Sequence, residues 1–100
     1  MTQFLSRIEE LNPTYNAIVA LADTQNLLDQ SKTADEQLTK NASKGWMHGF
    51  PFAVKDLADV TGFVTSYGSS IFKHGVNNNA AKQDSLPVAR IRSAGAIFIG

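Results

Sequence analysis

Phe4, Leu5, Ile8 and Leu11 recur at helical spacing with Arg7, Glu9 and Glu10 on the other side, which predicts an amphipathic helix over residues 3–11. Asn12-Pro13 should stop it, because the residue before a proline is pushed out of the helical region. The next apolar run, Ala17-Ile18-Val19-Ala20-Leu21, is continuous rather than periodic. Its short length favours a strand or a buried extended piece. From Asp23, a suitable N-cap, Leu27, Leu28, Ser31, Ala34 and Leu38 mark one face of a second helix, opposed by Gln30, Lys32, Asp35 and Lys40. That helix should end between residues 41 and 45.

The pattern changes after Gly45. Residues 45–79 hold five of the seven glycines and few helical signals, so they read as a buried strand at 51–54 running into a long loop region. Pro51 suits the first position of such a strand, where a missing donor costs least. Asn77-Asn78-Asn79 reads as a loop tip. Asp84 can cap a third helix with apolar Leu86, Val88, Ile91 and Ala94, Pro87 in its first turn and Gly95 just past its end. A strand at 96–99 follows. Strand, helical crossover and strand together predict a parallel pair, and so an α/β fold. Gly100 closes that apolar strand without a polar tail, and the expectation is of a chain that continues beyond it.

Composition narrows the classes. One hundred residues allow one small domain or a piece of one. With 43% hydrophobic and 18% charged residues the chain is globular in type, and nine basic against nine acidic side chains give no electrostatic argument for nucleic acid or an anionic membrane as partner. Absence of cysteine excludes disulfides, thiolate metal sites and a cysteine nucleophile. The first residues lack a signal-peptide pattern, and no apolar stretch approaches the roughly 20 residues of a membrane span. A cytoplasmic location is the expectation. Asn41-Ala42-Ser43 fits a glycosylation pattern that means nothing without secretion.

Candidate chemistry is sparse. There is no GxxxxGK[ST] or GxGxxG phosphate-binding loop, and no GxSxG turn to raise a serine nucleophile. His48 and His74 lack neighbours at metal-ligand spacing and read as exposed or hydrogen-bonded loop histidines. Lys55 differs, since it follows the apolar strand at the point where functional groups emerge from an open α/β sheet. Two readings stand side by side. Either Lys55 marks the solvated end of the strand and pairs with a nearby carboxylate, or it is a partly desolvated amine able to accept a proton.

Several blocks in order decide for the second. Glu9-Glu10-Leu11-Asn12-Pro13 with Asn16-Ala17-Ile18-Val19, then His48-Gly49-Phe50-Pro51-Phe52-Ala53-Val54-Lys55-Asp56, then Gly62 with Thr65-Ser66-Tyr67-Gly68-Ser69, and finally Asp84-Ser85 with residues 88–100, resemble the N-terminal part of the amidase-signature family. The likeness covers essentially the whole chain. It implies an α/β fold with helices packed on a mixed sheet, incomplete in this chain, and one domain piece over 1–100, mainly helical over 1–44 and then lysine strand, loop, helix and strand over 45–100.

The resemblance also implies the chemistry. Members use a lysine, a serine preceded by a cis peptide bond and a nucleophilic serine to hydrolyse amide bonds by acyl transfer, with no metal or organic cofactor. Lys55 matches the lysine, while both serines belong to a Gly/Ser-rich stretch expected beyond residue 100. Ser66, Ser69 and Ser70 lack that stretch's flanking glycines and do not match it. The hundred residues alone are therefore expected to be inactive, and to self-associate or bind the remaining polypeptide. Small-molecule amides are the expected substrates, Lys55-Asp56-Leu57-Ala58 being more like the stand-alone amidases. The alternatives are an amidotransferase component that works on glutamyl-tRNA and a non-catalytic α/β interaction module.

Overall fold

The computed structural model describes residues 1–73 and 80–100. His74 and the Asn77-Asn78-Asn79 tip lie outside the described residues. Four helices and two strands follow in the order α1 (Thr2–Tyr15), α2 (Thr24–Thr39), β1 (Pro51–Phe52), α3 (Ser70–Lys73), α4 (Leu86–Ser93) and β2 (Ile97–Phe98).

β1 and β2 run parallel, with Pro51 opposite Ile97 and Phe52 opposite Phe98. Ladder bonds extend the pair in both directions: Ile97 N donates to Phe50 O at 2.9 Å, Ile99 N to Phe52 O at 3.0 Å and Val54 N to Gly100 O at 2.8 Å. The α/β expectation is met, although the regular strands are shorter than the predicted 51–54 and 96–99, and 51–54 is half-buried with Ala53 exposed rather than the buried strand expected, because one side of it faces a cleft and solvent.

Residues 96–99 are buried throughout, and their side chains alternate between two apolar clusters, as a strand's period of two requires. Ala96 and Phe98 join Met47, Val60 and Val88, with Phe52, Val54, Phe63 and Ile91 around them. Ile97 and Ile99 join Leu27 and Ala34 of α2, flanked by Met1, Leu5 and Ile8 of α1. One face of the strand pair thus packs on α1 and α2, the other on α4 and the loops after β1. Gly95, at φ +100°, makes the turn into β2, and a Cβ there would stand 2.7 Å from the His48 Cα. Only glycine permits both that backbone and that approach.

α2 starts as its sequence predicts, with the Asp23 side chain accepting from Asn26 N at 2.8 Å and Leu27 and Ala34 buried, but it ends at Thr39, short of the expected 41–45. Leu38 is the exception on the predicted face and stands half exposed.

Other expectations need correction. α1 does not stop at Asn12-Pro13 but carries Pro13 inside its last turns and ends at Asn16, whose left-handed backbone donates N–H to Asn12 O at 2.7 Å. A proline removes one donor, and a terminal turn tolerates that loss better than a helix centre. Residues 17–21 form no strand. The Asn12 amide takes both backbone groups of Ile18, donating Nδ2 to its carbonyl at 2.8 Å and accepting its N–H at 2.9 Å, so those groups are unavailable to a ladder. The segment crosses the end of β2 instead, with Ile18 half-buried and Ala22 N donating to Ile99 O at 2.9 Å.

Lastly, the residue preceding α4 is Ser85, not Asp84. Asp84 is drawn away from the helix start by stronger partners, since it accepts Thr61 N at 2.7 Å and binds Arg92 Nε at 2.5 Å and Nη2 at 3.0 Å. Leu86, expected on the apolar face, is exposed, and the loop region also contains the short α3 that its sequence did not suggest.

Candidate functional site around Lys55

Lys55 is the first residue past the last ladder bond, at the carboxyl ends of both parallel strands. The chain turns there: Leu57 N and Ala58 N both donate to Lys55 O, at 2.6 and 3.1 Å. The lysine side chain borders a cleft of about 410 Å³, with Ile18 and Val19 on one side, Val60 and Phe63 on another and Gly100 at the end of β2. Most of this wall is apolar.

Three titratable residues line the cleft, namely Lys55, Asp56 and Tyr67. Among the described residues no hydrogen bond or ion pair holds the Lys55 ammonium; the side-chain ion pairs are Arg7 with Glu10 and Arg92 with Asp84. The neighbouring carboxylate is committed elsewhere. Asp56 Oδ1 accepts Ser66 N at 2.6 Å, while Oδ2 accepts the Ser66 hydroxyl and Gly68 N at 3.4 Å.

Those donors face Asp56 because residues 66–69 form a tight turn. Ser69 N donates to Ser66 O at 2.8 Å, and Tyr67 and Gly68 both take positive φ, 52° and 71°. A tyrosine rarely adopts that backbone unless its surroundings impose it. Asp56 supplies the constraint, and Thr65 and Ser66 beneath the turn are buried. Partial burial pushes the Asp56 carboxyl up, but the Ser66 hydroxyl and the Ser66, Gly68 and Tyr67 amides outweigh it and hold the group below its usual range.

Two further aspartates fasten the same region. Asp59 accepts the Thr65 hydroxyl at 2.8 Å, and its carbonyl accepts Ser85 N at 2.9 Å. At Asp84 the Arg92 hydrogen bonds, aided by Thr61, hold the carboxyl far below its usual range against the effect of burial. Arg92 also lies over the Phe98 ring at 4.5 Å, so the clasp reaches the sheet.

His48 has a structural position: its Nδ1 accepts Lys44 N at 3.0 Å and its Nε2 lies 3.0 Å from Ala34 O, linking the turn before β1 to α2. Among the described residues no group of three His, Asp or Glu side chains gathers as metal ligands. The Ser66 hydroxyl is spent on Asp56, Ser69 Oγ accepts Ile71 N at 3.3 Å, and neither hydroxyl hydrogen-bonds Lys55. The three aspartate clasps were missed at the level of sequence. Their signal was present in acidic residues 56, 59 and 84 flanking a Thr/Ser-bearing, glycine-containing loop, but side-chain capture of a turn has no periodicity to betray it.

A sequence profile of the family described as Amidase matches residues 1–100. The chain is 34% identical over 100 residues to the A-type component of glutamyl-tRNA(Gln) amidotransferase from Syntrophobacter fumaroxidans, covering all of this chain and 19% of that protein. It is 32% identical over 96 residues to the acylamidase of Rhodococcus erythropolis, covering 96% of this chain and 19% of that enzyme. Against the corresponding amidotransferase component of Pseudomonas fluorescens it is 39% identical over 97 residues, again 96% and 19%. The chain spans about a fifth of the length of these curated relatives.

Proposed function

The chain belongs to the amidase family, and from that premise we propose that it is the segment of an amide-bond hydrolase that contributes Lys55 as the base of acyl transfer. The observation that carries this reading is the environment of Lys55, which emerges at the carboxyl ends of two parallel strands beside an apolar cleft while its adjacent carboxylate is occupied by other donors. A lysine can act as base only as the neutral amine, and Lys55 is exposed, with no carboxylate partner among the described residues.

In the intact enzyme the Lys55 amine takes a proton through a bridging serine, and the activated serine attacks the amide carbonyl. Backbone amides hold the oxyanion, the amine leaves, and water releases the acid. Both serines come from polypeptide beyond these residues, so the hundred residues alone hydrolyse no amide. The substrate is a small-molecule amide, in keeping with the acylamidase relative, and no cofactor takes part. The amidotransferase relatives favour a second reading, in which the same lysine serves release of ammonia for glutamyl-tRNA. Copurifying protein partners would distinguish it.

The exposed Trp46, Phe50, Leu57 and Ile71, with Trp46 86% exposed, support packing against further polypeptide or self-association of the hundred residues. Sedimentation showing a stable monomer at high concentration would count against that. The test of Lys55 uses enzyme of the relatives' length. Lys55→Met should lower turnover by at least about 10²-fold with the fold retained by circular dichroism, and Lys55→Arg should fail equally because guanidinium stays protonated. Near-normal turnover of the arginine variant would remove Lys55 as the base.

A further inference from the structure

A lysine that serves as base must not be held as an ammonium, yet the next residue in the chain is an aspartate. An unoccupied carboxylate beside Lys55 would favour the charged amine and lower the fraction able to accept a proton.

Three bonds from one turn occupy it. The Ser66 hydroxyl and amide take one oxygen each, and Gly68 N adds a longer contact to the oxygen shared with the hydroxyl. Ser66 is the only side chain among these donors, and it is buried. No other charged group faces the cleft among the described residues. The 17–20 segment offers Ala17, Ile18, Val19 and Ala20, the stretch after β2 offers Gly100, and the only further ionisable group added by the turns after β1 is the Tyr67 phenol.

We propose that Ser66 is a positioning residue for Lys55, which by engaging the Asp56 carboxylate keeps it off the lysine amine and fixes the 66–69 turn beside the cleft. This rests on Lys55 being the base. It assigns Ser66 no contact with substrate and no part in the nucleophilic attack. A serine in the cleft region thus acts as a hydrogen-bond donor to a carboxylate, and its chemistry is consumed there.

Removing the Ser66 hydroxyl leaves Asp56 Oδ2 with only the long Gly68 N contact and lets it turn toward Lys55, and removing the charge of Asp56 as well abolishes that competition. The double variant should then outperform the single one, an ordering that loss of structure alone does not produce. In enzyme of the relatives' length, Ser66→Ala should move the acid limb of the kcat pH profile up by about half a pH unit, the size of a part-exposed ion pair, and so lower kcat about threefold on that limb with little change in KM. Ser66→Thr keeps a hydroxyl and should retain most of the activity. Ser66→Ala/Asp56→Asn should return the acid limb to its original position. Thermal unfolding of each variant reports whether the fold persists.

An unmoved acid limb in Ser66→Ala, or a double variant no better than the single one, overturns the proposal. Should Ser66→Ala fail to fold, Asp56→Asn and Ser66→Thr decide instead, since both retain a Ser66-type donor and neither should raise the acid limb. Lys55→Met separates the two claims. Full activity in that variant removes the base assignment, whereas its inactivity together with an unmoved limb in Ser66→Ala removes only the role of Ser66.

Discussion

The two faces of the strand pair are held by different physics. On one face, α1 and α2 cover Ile97 and Ile99 through apolar burial, with Leu27 wholly excluded from solvent at the centre. On the other, α4 supplies Val88 and Ile91, but the long connection from β1 is organised by aspartates: Asp56 closes the 66–69 turn, Asp59 holds Thr65 and Asp84 joins Thr61 to Arg92. Apolar burial is non-directional and tolerates small displacements, whereas a carboxylate accepting several N–H and O–H donors fixes a backbone in one geometry. The division places the directional bonds beside Lys55 and leaves bulk stability to the helices.

The largest way to break this contrast is to cut the helical face at its centre. Leu27→Ala removes a fully buried side chain between α2 and the strand pair, and should cost about 2–5 kcal/mol. Because the loss acts on the shared strand, urea unfolding followed by circular dichroism should show one lowered midpoint for the whole chain. Retention of the wild-type midpoint would mean that α2 is not energetically joined to β2. For a marginally stable domain the upper part of that range approaches the total stability.

The same contrast explains what could be read from the sequence. α2 was legible because Asp23 and the spacing of Leu27 and Ala34 agree with each other, and β2 was legible because its apolar run directly follows a helix ending at glycine. Both are local signals reinforced by burial. Failures arose where a side chain captured backbone at a distance. Asn12 holds both polar groups of Ile18, six residues on, and so turns an apolar run that resembles a strand into an irregular crossing. Asp84 looks like a helix cap until Thr61, far away in sequence, and Arg92 compete for it. Lys55 was singled out, as the base proposed above, by its place after an apolar strand and by the family pattern. The Asp56–Ser66 contact beside it spans ten residues, and nothing in residue spacing announces a bond of that kind.

Acid should act on the loop face first and on the helical face last, a smaller and more local effect than the leucine substitution. Asp56 and Asp84 both have folded-state carboxyls held below the ordinary range. A depressed carboxylate contributes stability that is fully present above the unfolded-state value and is lost as pH falls through the folded-state value. The window therefore opens below the ordinary aspartate range, and stability should fall with pH inside it. Asp84, bound to a guanidinium, is depressed much further than Asp56, which has only neutral donors. Protonation should reach Asp56 first. The amides of Ser66 and Gly68 should then lose hydrogen-exchange protection while Thr61, held by Asp84, keeps it, and Leu27 at the centre of the helical face should stay protected throughout. Exchange measured at successive acid pH values checks that order. Simultaneous loss at Ser66 and Leu27 would show that the two faces unfold as one unit and that the aspartate clasps carry no separable part of the fold, whereas loss at Thr61 before Ser66 would reverse the assigned strengths of the two carboxylates.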